Sequence, residues 1–502
     1  MTLALSGCES GNISNDVKNS TNSNETKPVA SEGATSGEID FNEEPYTIKV
    51  NYAVLGQEQP DLPKIEAKLN ELTLKKINAK VDLEGVSLYN MANVYSLKSS
   101  SREKMDLMLM MPGDTYLSKF ANNKMIRPID KELAEWGPAL QKTVGYMLPV
   151  GQFKGEQYAI PQKFATLTNG FNMNKAILDK YKIEISNNIK TLDEMDLIFA
   201  KVHKNEPNMT ILAPEVVSSS IAGILMKFDG LGNLYGGLMN GEGTKITNLF
   251  EEEEFVNTVK KVREWFEKGY ISKDVSTSQE DGGTLLDNGK VFATAAGSVN
   301  FIYGGSIPIA KKSVALHAPV RFTSNSQLFL WAVASSSERP DKAVQLLNLF
   351  NSDEEVATLL QYGIEGVHYE MKANGTVDTS KNSNYQNYWL MFGDRDIKPL
   401  GASEVDASGF TPEEYRAKES EWEKSIRASE GYGFFFDYSP VKTEVAALDA
   451  VVNQYYKVIG NGSVNPDELL KKFNDTLYDA GLQKVMDEKQ RQFDEWRTAQ
   501  GK

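Results

Sequence analysis

Residues 158–174 read YAIPQKFATLTNGFNMN, and the fold turns on how this stretch is taken. It opens as a short apolar strand ending at Pro161, which has no amide to donate and suits a strand's edge or end better than a sheet centre. Gln162, Thr166, Thr168 and Asn169 follow, and the β-branched threonines keep the chain extended. Apolar character returns at Phe171 and Met173 and runs into a helix-like segment with Ala176, Ile177, Leu178 and Tyr181. Taken alone, this is either a chain leaving one packed unit for another or an edge strand within a single unit. The flanking sequence decides.

Before it, Tyr46, Ile48, Val50 and Tyr52 alternate with polar residues as in a strand. Residues 65–77 set Ile65, Leu69, Leu72 and Ile77 on one helix face, and residues 81–86 form the next strand. After another helical stretch, residues 106–111 are almost continuously apolar, as expected of a strand covered on both faces. That strand stops at Pro112-Gly113-Asp114-Thr115-Tyr116. Such a succession predicts a doubly wound α/β unit, whose ligands sit beyond the carboxyl ends of its strands. Here those ends are residues 56–59 and 113–116.

After the stretch, helices and short strands alternate again. Thr191 and Glu194 spell a capping box, and Phe255, Val259, Val262, Trp265 and Phe266 mark a helix that Gly269 ends. Strands are expected at 290–296, 314–319 and 328–334. Pro340 starts a helix with Val344, Leu347 and Phe350 on its buried stripe, and residues 352–355 cap the next one. Thr411 opens a helix with Tyr415, Trp422 and Ile426, and the last helices follow Pro440 and Asn465-Pro466. Trp265, Trp422 and Trp496 sit at helical spacing and are assigned to packing. The glycines of residues 229–243 and Gly304-Gly305 lack both the Lys-Ser/Thr of a P-loop and the strand–helix setting of a dinucleotide fingerprint.

At 502 residues the chain is long enough for two or three cores. A formal charge of −15 with no basic block argues against nucleic acid and against an anionic membrane surface. No apolar run approaches the roughly 20 residues that span a bilayer. The single cysteine, Cys8, excludes an intrachain disulfide. Leu5-Ser6-Gly7-Cys8 resembles the lipobox of bacterial lipoproteins, which implies lipidation of Cys8. A basic n-region and a longer apolar stretch are missing, so the start is expected to be trimmed. Residues 9–44, rich in Ser, Asn, Thr, Gly and Glu, are expected to be a disordered tether. His203, His317 and His368 show no HExxH or paired spacing and no nearby cysteine, and no GxSxG occurs. No metal or cofactor is expected. A glycosidase carboxylate pair stays open on composition, as does calcium, although no loop has EF-hand spacing.

Several stretches together resemble the extracellular solute-binding lipoproteins of bacterial ABC importers, of the oligosaccharide type. They are YTIKVNY through DLMLMMPGDTYLSKF, QYAIPQ with NGFNMNKAIL, FEKGYISKDVSTSQ with GKVFATAAG, FLWAVASSSERPDKAVQLLNLF and YGIEGVHYE. The end of the chain, from GFFFDYSPVKTEVAALDAVVNQYYKVI through KQRQFDEW, is similar to a C-terminal domain found in a subset of them. The resemblance implies an α/β, periplasmic-binding-protein-like, two-lobed clamshell, each lobe a doubly wound sheet flanked by helices, with a helical C-terminal extension. It divides the chain into a first lobe of 45–162 with 324–362, a second of 163–323 with 363–436, and a helical region of 437–502. Residues 158–174 become one crossing, with a return near 322–328 and a third crossing near 362–367. It also implies a monomer, anchored through lipid on the extracellular face, that binds a carbohydrate and delivers it to permease subunits. A peptide-binding importer lipoprotein, a surface glycan-binding protein and a glycoside hydrolase are the alternatives.

Sugars present apolar CH faces and hydroxyl rims, so their sites combine aromatic platforms with planar hydrogen-bonding groups. Candidates at strand ends and loops are Gln57, Gln59, Asp114, Thr115, Tyr116, Asn169, Tyr235, Tyr303, Trp331, Glu365, Trp389, Asp394 and Arg395. Residues 114–116 lead because they follow a buried strand, and Trp389 and Trp331 are the expected stacking planes. The competing role for each aromatic is core packing; for Glu365 it is a helix cap or an arginine partner.

Overall fold

Among the described residues nine strands make the two sheets that position everything else, the first four and the ninth in one and the fifth to eighth in the other. They are β1 (Tyr46–Val54), β2 (Ala79–Ser87), β3 (Leu107–Met110), β4 (Ala159–Pro161), β5 (Thr168–Asn174), β6 (Thr210–Pro214), β7 (Val291–Val299), β8 (Lys311–Ala315) and β9 (Leu330–Val333). The computed structural model describes residues 37–54, 59–111, 117–163, 168–299, 311–327, 329–382, 384–385 and 395–502. Residues 36–502 make one unit and residues 1–35 another, the latter outside the described residues, as is Cys8.

The first sheet has the order β2-β1-β3-β9-β4, and the second β8-β5-β7-β6. β1 runs parallel to β2 and β3, whereas β9 is antiparallel to both β3 and β4. In the second sheet β7 is parallel to β6, and both β7 and β8 are antiparallel to β5. Both sheets are therefore mixed, not purely parallel. The reason is in the path: β5 and β9 each enter from the other half, at the edge where their neighbours end, and so run the opposite way. The carboxyl ends of β1, β3 and β4 share that edge in the first sheet, and those of β6, β7 and β8 share it in the second.

Helices cover both sheets: α1 (Leu62–Ile77), α2 (Met91–Ser100), α3 (Leu192–Asn205), α4 (Glu253–Glu267), α5 (Pro340–Phe350), α6 (Glu354–Tyr362), α7 (Pro412–Ser425), α8 (Lys442–Gly460), α9 (Pro466–Asp479) and α10 (Leu482–Ala499). The Thr191 and Thr411 capping boxes open α3 and α7, Asp353 caps α6, and Asn465 caps α9 ahead of Pro466. No helix among the described residues is long and apolar enough to cross a membrane. Ile48, Leu69, Leu107, Trp331 and Phe350 lie in the first core. The second is built round Phe171, Phe199, Trp265 and Phe292, with Phe199 edge-on to Trp265 at 5.1 Å. Leu448, Tyr455, Phe473, Leu477, Val485 and Phe493 of α8–α10 belong to that same core, so the C-terminal helices complete the second half.

Two expectations are corrected. Residues 363–385 fold back on the first half and do not enter the second. His368 Nε2 meets the Asp61 carboxylate at 3.1 Å while its Nδ1 accepts the Ile364 N–H, and the buried Tyr385 hydroxyl donates to the Leu360 carbonyl at 2.7 Å. The third crossing comes later: Tyr432 packs in the first core and Phe434 in the second. The tether also ends sooner than residue 44. Asn78 Nδ2 donates to the Asp40 and Glu43 carbonyls at 2.9 Å. Arg339 and the buried Lys342 both reach the Glu43 carboxylate at 2.9 Å, since a buried ammonium requires a counter-charge.

Hydrogen bonds from Arg339 and Lys342 hold the Glu43 carboxyl down to about 2. Its contribution to stability is whole above the ordinary glutamate value of about 4.3 and fades as pH falls towards 2. Glu43→Gln is therefore expected to flatten part of the acid limb in urea melts from pH 5 to pH 2. A variant that loses stability with acid as steeply as wild type would show that this carboxylate carries none of it.

Candidate functional site

Where the chain crosses for the third time, the sequence GFFFDY (433–438) sets three phenylalanines in an extended segment between the two cores. Successive side chains of an extended chain point opposite ways. Accordingly Phe434 and Phe436 are buried in the second core while Phe435, half-buried, packs against the first. The turn before this segment ends at Gly433, with φ +95°. The second crossing is stitched to it: the Thr323 hydroxyl donates to the Gly431 carbonyl at 3.1 Å and accepts the Gly433 N–H at 2.8 Å, and the Ser429 N–H donates to the Arg321 carbonyl at 3.0 Å.

These crossings border a cavity of about 410 Å³, within the span of about 300–1,000 Å³ common for small-molecule sites. Ser118, two positions after Tyr116 in the chain, lines it from the first half, and Thr323, Ser324 and Gln327 line it from the second crossing. Asn233, Phe435, Tyr438 and the α8 residues Lys442, Val445, Ala446 and Asp449 complete the wall. Tyr438 is 41% exposed.

Asn233 and Asp449 are held by a buried relay. Lys489 of α10 is fully buried, and its ammonium donates to the Gly230 carbonyl at 2.9 Å, Asn233 Oδ1 at 2.8 Å and the Gly236 carbonyl at 2.6 Å. Asn233 Oδ1 also accepts the Tyr235 N–H at 3.0 Å, and the Tyr235 hydroxyl donates to Asp449. Burial, with the Asp449 carboxylate beside it, pushes the Tyr235 phenol well above its ordinary range. The glycine-rich loop thus turns carbonyl oxygens inward, a cradle for a cation and not for a phosphate.

Of the sequence candidates, Gln57, Asp114, Thr115, Tyr116, Tyr303, Trp389 and Asp394, with the side chain of Arg395, lie outside the described residues. Gln59 stands at the start of α1, its carbonyl accepting the Leu62 N–H at 3.1 Å. Nearby, the Asp61 N–H donates to the Asn384 carbonyl at 3.2 Å, so the chain flanking Gln57 and the chain flanking Trp389 meet at one point of the first half. Asn169 is spent on structure, its amide donating to the Met226 carbonyl at 2.6 Å and to that of Ile224. Trp331 is corrected: it sits at 0% exposure between β3 and β4 and presents no stacking face. Tyr235 is likewise buried, and supports the wall from behind. Glu365 is exposed in a different groove, of about 690 Å³, on the outer face of the first half between α1 and α6. Its other walls come from residues 363–371 and Pro399.

Sequence reasoning missed Phe435, Tyr438, Asn233 and the α8 face. The signal available was the run GFFFDY itself, because four aromatics in a six-residue coil need apolar surroundings on more than one side.

Residues 74–384 match the family model of bacterial extracellular solute-binding proteins, and residues 430–498 match a domain of unknown function, DUF3502. A carbohydrate ABC transporter substrate-binding protein of Streptococcus pneumoniae serotype 4 is 24% identical over 468 residues, covering 88% of this chain and 89% of its own. Among solved structures, the N-glycan transport solute binding protein NgtS of Streptococcus pneumoniae superposes with a TM-score of 0.78 at 22% identity, over 90% of this chain and 98% of that one. The same relative in complex with Man1GlcNAc gives 0.69 at 22% identity, over 89% and 99%, and in complex with Man5GlcNAc 0.64 at 22%, over 90% and 99%. An HMO-binding, ABC-transporter-associated solute binding protein of Bifidobacterium longum infantis gives 0.61 at 15% identity, over 90% and 99%. With the family model spanning well over half its length, and two α/β halves crossing three times beside a shared cavity, this chain belongs to the bacterial extracellular solute-binding proteins.

Proposed function

We propose that the protein captures an oligosaccharide in the cavity between its two halves and hands it to the permease subunits of an ABC importer, catalysing nothing itself. In this reading it acts as a monomer tethered by a lipidated Cys8 on the outer face of the membrane. The observation that carries the reading is the composition of the shared cavity. Tyr438, 41% exposed, and the half-buried Phe435 line it together with the polar side chains of Ser324, Gln327 and Asn233. That is what a sugar's CH face and hydroxyl rim require together. Three chain crossings give the halves a hinge, and closure about it is the two-state element that would report occupancy to a permease.

The test is a thermal-shift screen of neutral oligosaccharides, Man1GlcNAc and Man5GlcNAc among them, beside a peptide set. A saccharide at a hundred times its Kd adds about 2.7 kcal/mol to the folded state and raises Tm. A rise with peptides alone would replace the carbohydrate reading, and release of new reducing ends would make the protein a hydrolase. Small-angle scattering at saturating sugar is expected to show a smaller radius of gyration; an unchanged curve would reject closure.

A further inference from the structure

We propose that the C-terminal helical region is a working wall of the solute site, and that the α8 face bearing Lys442, Val445, Ala446 and Asp449 selects an uncharged, hydroxyl-bearing saccharide unit. The inference rests on the oligosaccharide reading above and assigns a task to the region matched only by a domain of unknown function. Residues 442, 445, 446 and 449 follow the i, i+3, i+4, i+7 spacing that places side chains on one helix face. All four line the cavity, while Leu448, Tyr455 and Ile459 on the other side of the helix are buried in the second core. The helix is thus locked with this face on the cavity. An appended module, folding on its own core, would present it anywhere.

The chemistry of the face is balanced. Lys442 and Asp449 are separated by about 10 Å along the helix, with the small Val445 and Ala446 between them. Neither forms an ion pair among the described residues, so both charges are available to a ligand and sum to zero. A polyanionic chain would meet Asp449 and a polycationic one Lys442. A hydroxyl satisfies both, since it accepts from the ammonium and donates to the carboxylate. One Asp449 oxygen is already taken by the Tyr235 hydroxyl, and the buried Lys489–Asn233–Tyr235 relay fixes that partner. The remaining oxygen faces no competing donor among the described residues. Lys489 is a positioning residue here, and Lys442 and Asp449 are the contacts.

Calorimetric titration of the whole protein tests this with four probes: Man5GlcNAc, an N-acetylated chitotriose, its deacetylated amine form and an alginate trimer. Wild type is expected to prefer the two neutral sugars. Asp449→Asn and Lys442→Met should each weaken them roughly tenfold or more, the scale of one hydrogen bond to a charged group; the unliganded Tm should hold, because Lys442 is exposed and an asparagine oxygen still accepts the Tyr235 hydroxyl. Lys442→Glu should shift the ranking towards the amine form, and Ala446→Trp, which fills the gap between the two charges, should weaken every sugar a hundredfold or so. Wild-type affinity and ranking in all four variants would overturn the role of α8 and leave the carbohydrate reading standing. Preference of wild type for alginate would overturn the neutral class. Binding of none of the four by wild type would overturn both readings together.

Discussion

Lys489→Met is expected to cost the protein about 1–3 kcal/mol, the penalty for leaving buried hydrogen-bond acceptors without their donor. The substitution keeps the bulk of the side chain and deletes its three donors. The Gly230 and Gly236 carbonyls and Asn233 Oδ1 then lose this donor beneath the glycine-rich loop, the first keeping the Asn233 N–H and the last the Tyr235 N–H. Asp229, itself buried, loses its compensating charge, and the ammonium's contact with the Phe436 ring at 5.1 Å goes with it. Urea melts read the effect directly, and an unchanged midpoint would mean that the relay is dispensable. The pH dependence has a definite sign. Burial presses Lys489 down to about 7, against the pull of Asp229, from an ordinary lysine value of about 10.4. Between these values the unfolded chain binds more protons, so this group makes wild type gain stability as pH rises. Below about 7 both forms carry the proton and its slope vanishes. The methionine variant lacks the slope, so the gap between the two proteins should widen from pH 6 to pH 9. A constant gap would show that the amine keeps its proton throughout.

Gly433→Val is the second large effect. At φ +95° a β-branched residue is strained by about 1–3 kcal/mol, and a Cβ there would stand 2.9 Å from the Pro149 Cβ. Overpacking of this kind adds about 1–3 kcal/mol, for a total of about 2–6 kcal/mol. The position is where the chain leaves the first core for the second, so the unliganded scattering profile should change along with Tm. A valine variant matching wild type in both would show that the crossing tolerates ordinary backbone geometry and that Gly433 does not set the hinge.

Much of the architecture was legible because it depends on local pattern. The strand read from the alternation at Tyr46–Tyr52 is present, although residues 50–54 are buried on both faces, and the Thr191, Thr411 and Asn465 caps reappear at their places. Trp265 and Trp422 are packed as their helical spacing implied, and residues 158–174 supply one strand to each sheet. Trp331 was open to a better reading: an apolar run with no polar alternation is covered on both faces, and β9 lies inside its sheet. The third crossing was not legible. Whether residues 363–385 join the first half or the second depends on His368 finding Asp61, 307 positions earlier in the chain. No local pattern encodes that. The α8 face was hidden for the same reason: a helix with Lys442, Ala446 and Asp449 on one side reads as solvated until another part of the chain is seen to stand opposite it.

The sharing of one core by β5 and α8–α10 also sets an order of events. Gly230 and Lys489, joined by a hydrogen bond, are 259 positions apart. At about 5–20 residues per second of synthesis, the earlier partner waits roughly 13–50 s for the later one. Until the last helix emerges, the second half has no complete interior and remains loosely collapsed. A nascent chain whose packing waits on α10 stays threadable until that helix has emerged, which suits an extracellular solute-binding protein.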